Sequence, residues 1–329
     1  DEEPTASMVA SITSEYNTGW MNGDIKLATL SDTDDTDLVG SELVTNGTFD
    51  TDTSGWSAGV YGATLSVNSG ALRITNGGNV NGRAISDEFN TTIGKTYVVS
   101  VTGVAKSSAT YRLEVRSGVE KVRTWSTDGE TVYVTFTAVQ STTLIELYAI
   151  GGASGPYVEY DNVSVSLAEP DRSVNNNGLQ VFGTVQKSPV ATGADLVAYG
   201  PFSNGNYLEQ PYNPDLDFTD TMFVNVWIKD MIASVNIFDR GVRYTDHSYG
   251  LYVDGGNDIR FYYSTDGTTD RKLEIADGQL QCASGWHMIS ISVNAGSIRL
   301  YLNGEYNATE NTGGNFFSQA TAQNPLIVG

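Results

Sequence analysis

Residues 285–305 carry the feature that most restricts how this chain can fold. Trp286, Met288 (or Ile289) and the alternating Ile and Ser residues up to Val293 form one run of period two. After a short turn, Ile298, Leu300 and Leu302 share one face of a second run. Asn303-Gly304 then suits a type I′ turn, because both residues tolerate positive φ. The same alternation returns at Tyr97, Val99 and Val101, and at Val132, Val134 and Phe136. Long helical patterns are absent, and Gly (35) and Tyr (18) are abundant, a composition that favours short strands and tight turns. The expectation is an all-β chain of two tandem antiparallel β-sandwiches.

Length is consistent with two domains of ordinary size among the 329 residues. A formal charge of −21 argues against a nucleic-acid partner, which needs clustered cations to displace counterions. Loop carboxylates can instead hold Ca²⁺, a hard cation that takes oxygen ligands, or simply keep the chain soluble. The single cysteine, Cys282, cannot form an internal disulfide. No apolar run approaches the length of a membrane span. The first residue is Asp1 rather than Met, so an upstream part is expected to be missing.

Three segments follow from the pattern. Residues 1–40 hold too little apolar sequence for a core and read as the end of an upstream domain plus an acidic linker. Residues 41–168 contain strands expected at 71–75, 96–104, 110–116, 131–138 and 143–149, the rhythm of a jelly roll. The opening LVTNGTFDTDTSGW (43–56) and the closing VEYDNVSV (158–165) resemble family 4/9 carbohydrate-binding modules and related galactose-binding-like domains. Residues 169–329 form the third segment. There Tyr207-Leu208-Glu209-Gln210, the run from Phe223 to Lys229 and the Gly285-Trp286-His287 strand resemble the laminin G-like, concanavalin A-like sandwich. That resemblance implies a further strand beyond Gly329. Within this sandwich Trp227 and Trp286 are expected in the core.

Three catalytic patterns bear on this sequence. Gly55-Trp56-Ser57-Ala58-Gly59 matches the Gly-x-Ser-x-Gly elbow by letter, but that motif needs a strand turning into a helix, and here further β alternation follows. The carboxylates at Glu159 and Asp161, or Glu274 and Asp277, do not complete the single-strand pattern of sandwich-fold glycoside hydrolases. The two histidines and one cysteine do not cluster in zinc-site spacing. A non-enzyme is therefore expected. Sugar binding needs exposed rings to stack on pyranose faces, with amide, carboxylate or guanidinium groups for the hydroxyls. Trp125, Tyr61 and Tyr148 are the candidate rings, with Arg112 and Asn79 as polar partners, while Trp56 is expected in the core.

The resemblances imply more. In the carbohydrate-binding modules a structural Ca²⁺ ties the first strand to the last, which points to Asp50 and Asp161 with Thr48 nearby. In the laminin G-like segment a rim ion implies Asp246, with Asn311 or Asn315 opposite. Each could equally serve as a turn former. Finally, VNNNGLQVFGTVQKSPVATGADLVAYGPF (174–202) and YNTGWMNGDIKLATLSDTD (16–34) resemble segments of structural proteins of marine tailed phages. The implied function is a carbohydrate-binding adhesin of tail-fibre type, extracellular or virion-associated, with glycan and virion or homo-oligomer partners. The alternatives are the binding portion of a secreted polysaccharide-degrading enzyme and a purely structural virion protein.

Overall fold

The computed structural model describes residues 26–27, 29, 35–59, 62–78, 81–151, 154–171, 173, 175, 177–192, 197–218, 221–229, 235–254, 258–275, 285–311 and 314–329. Tyr61, Asn79, Cys282 and most of the 1–34 segment lie outside them. The described residues are strands and turns, and their only helical element is the 3₁₀ turn Pro214–Leu216. None of their helices is long and apolar enough to cross a membrane. The chain divides into two compact units, Asp1–Thr184 and Val185–Gly329.

The first unit is a two-layer antiparallel sandwich. One layer pairs Thr131–Thr137 with Thr96–Lys106 and that strand with Tyr157–Glu169. On its other side Tyr157–Glu169 takes Ala71–Thr75, which pairs in turn with Thr64–Asn68. The second layer runs Trp56–Ala58, Gly82–Ser86, Thr142–Ile150, Thr110–Ser117, Glu120–Thr124. Period-two alternation aims one side of each layer inward, so Val99, Val101, Val158 and Val165 meet Leu113, Val115, Ile145 and Leu147 in one core. Trp56 joins it at 7% exposure, tilted against Phe49 with centroids 5.4 Å apart, and its indole N–H donates to the Thr45 carbonyl at 3.2 Å.

The first and last segments of this unit are stitched by a carboxylate that the sequence did not single out. Glu42 Oε1 accepts the N–H groups of Leu43 (3.0 Å), Val44 (2.8 Å) and Val165 (2.9 Å), and its Oε2 accepts the Ser164 hydroxyl at 2.6 Å. Beside it the Val163 N–H donates to the Gly47 carbonyl at 2.9 Å. A side chain at Gly47 would strike the Val163 carbonyl oxygen, so this close approach requires glycine.

The second unit is also a sandwich. Thr221–Lys229, Trp286–Asn294, Ser297–Leu302 and Glu305–Asn311 form one sheet in chain-neighbour order. The facing sheet runs Tyr207–Gln210, Leu326–Val328, Val235–Arg240, Tyr249–Val253, Ile259–Ser264, Asp270–Ile275. Leu326–Val328 is thus paired on both sides. Asn303 (φ 52°) and Gly304 (φ 84°) make the turn that their types required, and Ala295 (φ 48°) and Gly296 (φ 79°) make a second one of the same kind.

The tryptophans of this unit correct the expectation. Trp227 is 43% exposed, because the inward positions of its strand are Met222, Val224, Val226 and Ile228. Trp286 is half-buried, its indole N–H donating to the Val190 carbonyl at 3.2 Å. The core instead centres on Tyr249, Phe261, Tyr263 and Phe316, whose rings pack at centroid distances of 5.8–6.3 Å.

Candidate functional site

The outward side of the Trp56–Ala58 layer in the first unit carries a dense set of polar and aromatic groups. In Thr110–Ser117 the odd positions Tyr111, Leu113 and Val115 are core, which turns Arg112, Glu114 and Arg116 outward. In Thr142–Ile150 the same parity turns Glu146 and Tyr148 outward. Register then sets Glu146 opposite Glu114, and Tyr148 opposite both Arg112 and Arg83. Arg123 falls opposite Glu114, and Lys121 opposite Arg116.

Two carboxylates directly opposite on neighbouring strands repel, so each needs its own cations. Glu146 receives Arg83 Nη1 and Arg116 Nη1, both at 3.0 Å, and the Tyr148 hydroxyl at 2.5 Å. Glu114 receives Arg123 Nε at 2.7 Å and Lys121 Nζ at 3.0 Å. Both carboxylates are 1% exposed. Burial works to raise the Glu114 pKa, but the hydrogen bonds and charges of Lys121 and Arg123 outweigh it and hold the carboxyl below its usual range. Gly59 belongs to this arrangement. A Cβ there would collide with the Arg83 side chain, so the last glycine of the Gly-x-Ser-x-Gly pattern makes room for an arginine. Ser57 lies on a strand paired with Gly82–Ser86, with its hydroxyl toward the Ile85 carbonyl at 3.4 Å, and among the described residues no helix follows.

Three of the expected ligand residues meet on this face. The Arg112 guanidinium lies 3.7 Å from the Tyr148 ring centroid and 6.0 Å from that of Trp125. Trp125 follows Arg123 at the next outward position and is 55% exposed. Tyr148 differs from the expectation of an open ring. It is 9% exposed, with Arg112 across one face and its hydroxyl spent on Glu146, so it supports Arg112 and leaves stacking to Trp125. From the opposite layer, the fully buried Tyr160 hydroxyl accepts the Arg112 N–H at 2.9 Å and donates to the Tyr148 carbonyl at 2.7 Å. Tyr61 and Asn79 lie outside the described residues.

The expected metal residues divide. Thr48 Oγ1 donates to Asp50 Oδ2 at 2.8 Å, and Asp161 Oδ1 accepts the Asn162 N–H at 2.7 Å. The Asp161 pKa is raised, first by burial and then by the nearby charge of Asp50, with the Asn162 N–H opposing. Two carboxylates and a hydroxyl thus sit where first turn and last strand meet, oxygen donors of the type Ca²⁺ takes. Asp246 is occupied as a turn former: its Oδ1 accepts the Val242 N–H at 2.8 Å, and the side chain reaching its carbonyl is that of Gln319. Asn311 ends the Glu305–Asn311 strand, and Asn315 is exposed. Among the described residues no group of three or more His, Cys, Asp or Glu is placed to hold a metal ion.

The second unit holds a buried ionic cluster. His247 is fully buried, with Nε2 3.0 Å from Asp239 Oδ1 and Nδ1 2.8 Å from Asp270 Oδ1. Only the imidazolium can donate to both. Burial alone would lower the His247 pKa, but the hydrogen bonds and charges of Asp239 and Asp270 win and raise it. A raised folded-state pKa contributes stability that is complete below the unfolded value and is lost as pH rises through the folded one. The melting temperature of this unit is therefore expected to fall as pH rises above the ordinary His pKa of about 6.5. Calorimetry across that rise checks this, and His247→Asn is expected to flatten the slope.

Residues 202–329 match the family model of the concanavalin A-like lectin/glucanases superfamily. This places a concanavalin A-like domain in the second unit. A comparison with curated proteins finds no match. Among solved structures the chain is similar to a family 4 carbohydrate-binding module, with 18% identity over 38% of this chain and 99% of that one, TM-score 0.30. It is similar also to the family 22 xylan-binding domain of Paenibacillus barcinonensis, with 16% identity over 40% and 96%, TM-score 0.29. The tandem of two family 22 modules from the same organism aligns over 88% of this chain and 98% of its own, with 14% identity and TM-score 0.30.

Proposed function

We propose that the chain is a non-catalytic glycan-binding protein and that its first unit binds sugar on the outward face carrying Trp125. One observation carries the reading: an exposed indole beside a guanidinium that is itself held across the Tyr148 ring with Glu114 3.8 Å away. Such a ring offers a pyranose a flat apolar surface at little ordering cost, with fixed donors at its edge. The lectin description of the family matched at 202–329 supports the same class of ligand. Binding rather than hydrolysis is favoured because Glu114 is held ionised by two cations and is not poised as a general acid. The wider role we propose is adhesion, as an extracellular or virion-associated receptor-binding component. It is supported by the resemblance of residues 174–202 and by the presence of two sandwich units in one chain. A glycan array probed with the full chain tests the proposal. Retention of at least one glycan class is expected, and retention of none overturns it.

Ca²⁺ enters the proposal as a structural ion held by Asp50, Asp161 and Thr48, joining the first turn to the last strand. It would relieve the repulsion between the two carboxylates, and binding only the folded form it would raise the melting temperature by mass action. Asp161→Asn is expected to abolish that rise. A melting temperature unchanged by EDTA and by added Ca²⁺ removes the ion from the account.

A further inference from the structure

The charge of the Trp125 face is opposite to that of the chain. The whole protein has 18 Lys and Arg against 39 Asp and Glu. Among the described residues, the outward positions of the long strands on this face carry Arg83, Arg112, Arg116, Lys121 and Arg123 against Glu114 and Glu146. Each carboxylate is shared by at least two cations, and the formal count at these positions is three positive charges in excess. The layering matters as much as the count. Glu114 and Glu146 lie at the bottom with side chains 1% exposed, while the side chains of Arg116, Lys121 and Arg123 are 36%, 39% and 53% exposed. A ligand settling on Trp125 meets cations.

Arg116 spends Nη1 on Glu146 and Arg123 spends Nε on Glu114, yet their side chains stay exposed, so each guanidinium keeps donors within reach of a ligand. The planar fork of arginine matches carboxylate and sulfate oxygens, forming charge-assisted bonds about twice as strong as neutral ones. A face built for neutral hydroxyls would gain little from an excess of cations, which are costly to bring together without anions.

We infer that this face selects an anionic polysaccharide, one whose sugars carry carboxylate or sulfate groups: a sugar ring stacks on Trp125 while its anionic substituent is taken by the Arg112, Arg116 and Arg123 side chains. The inference rests on the glycan-binding reading of the same face and narrows it to a ligand class. It also accounts for the acidity of the rest of the molecule. With a net charge of −21, the chain as a whole repels a polyanion, and the cations beside Trp125 give it an orientation.

The test is binding of the full chain, by biolayer interferometry, to polygalacturonate, carboxyl-reduced polygalacturonate, carrageenan, desulfated carrageenan, neutral xylan and single-stranded DNA. Binding to polygalacturonate or carrageenan is expected, with loss on removal of the charged group. Which of the two polymers binds separates uronate from sulfate recognition. Raising NaCl from about 0.05 to 0.5 M is expected to weaken binding about tenfold, since the exposed cations are screened. Arg116→Gln is expected to weaken binding several-fold, because Glu146 keeps Arg83 and Tyr148 and the fold is retained. An unchanged melting curve confirms that retention, and Arg116→Lys is expected to recover part of the affinity. Salt-insensitive binding of the neutral polymers alone overturns this inference and leaves the glycan-binding reading standing. Equal binding of DNA also overturns it, by showing unselective anion exchange. Binding of no polymer overturns both.

Discussion

Arg240→Met is expected to destabilise the Val185–Gly329 unit by about 3–5 kcal/mol, the usual cost of removing one partner from a buried ion pair. The Arg240 side chain is fully buried. Its Nη2 donates to Asp217 Oδ1 at 2.6 Å and to the Asn213 carbonyl at 2.9 Å, so one guanidinium joins the Pro214–Leu216 turn to the Val235–Arg240 strand. Methionine fills a similar volume, and what is lost is charge compensation. Asp217 would be left with the Ser318 hydroxyl at 3.0 Å and the weaker contacts of the Gln319 N–H and the Tyr212 hydroxyl, both at 3.4 Å. Chemical denaturation measures the loss. Asp217→Asn in the Arg240→Met background is expected to restore part of it, because the uncompensated carboxylate is the cause. A near-neutral single variant would show that the pair does not hold the turn.

Tyr160→Ala is expected to cost the first unit about 3–5 kcal/mol, as for other large-to-small changes at fully buried aromatic positions. The ring packs edge-on against Tyr111, centroids 5.1 Å apart at 74°, in the middle of the core. The finer variant Tyr160→Phe keeps the ring and strips the hydroxyl from the Arg112 N–H and the Tyr148 carbonyl. Leaving buried groups unpaired costs about 1–3 kcal/mol. Because those two backbone groups belong to the residues beneath Trp125, Tyr160→Phe is expected to weaken ligand binding as well. Denaturation midpoints and binding measured on the same preparations check both effects. Full affinity in a destabilised Tyr160→Phe protein would separate the core from the face.

What the sequence disclosed was local, and what it withheld was register. The 285–305 hairpin was legible because alternation and the Asn303-Gly304 turn are written in neighbouring residues. So was the inward Trp56, which sits beside Phe49 in the fold and near it in the chain. Trp227 was misplaced because residue type was weighed above parity: Val224, Val226 and Ile228 already defined the inward side. The Glu114–Glu146 pair is not legible locally, because the hydrolase pattern lies on one strand and these carboxylates stand on two whose pairing no local pattern states. Alternation within each strand would have marked both as outward, a signal too general to choose them. Glu42 and His247 were passed over for a similar reason, since their partners lie far along the chain. Trp125, Arg112 and Tyr148 were named as separate candidates by residue type, and the fold places them in one stack.

The two units each present exposed aromatic rings, Trp125 and Tyr133 on the first and Trp227, Phe223, Tyr244 and Tyr306 on the second. The most direct measurement is therefore a side-by-side comparison of Trp125→Ala and Trp227→Ala, scored by retention on whichever glycan the array identifies and by melting temperature. The account predicts that Trp125→Ala abolishes retention with its melting curve unchanged, and that Trp227→Ala is retained like the parent. Retention that survives Trp125→Ala and disappears in a folded Trp227→Ala protein would contradict it.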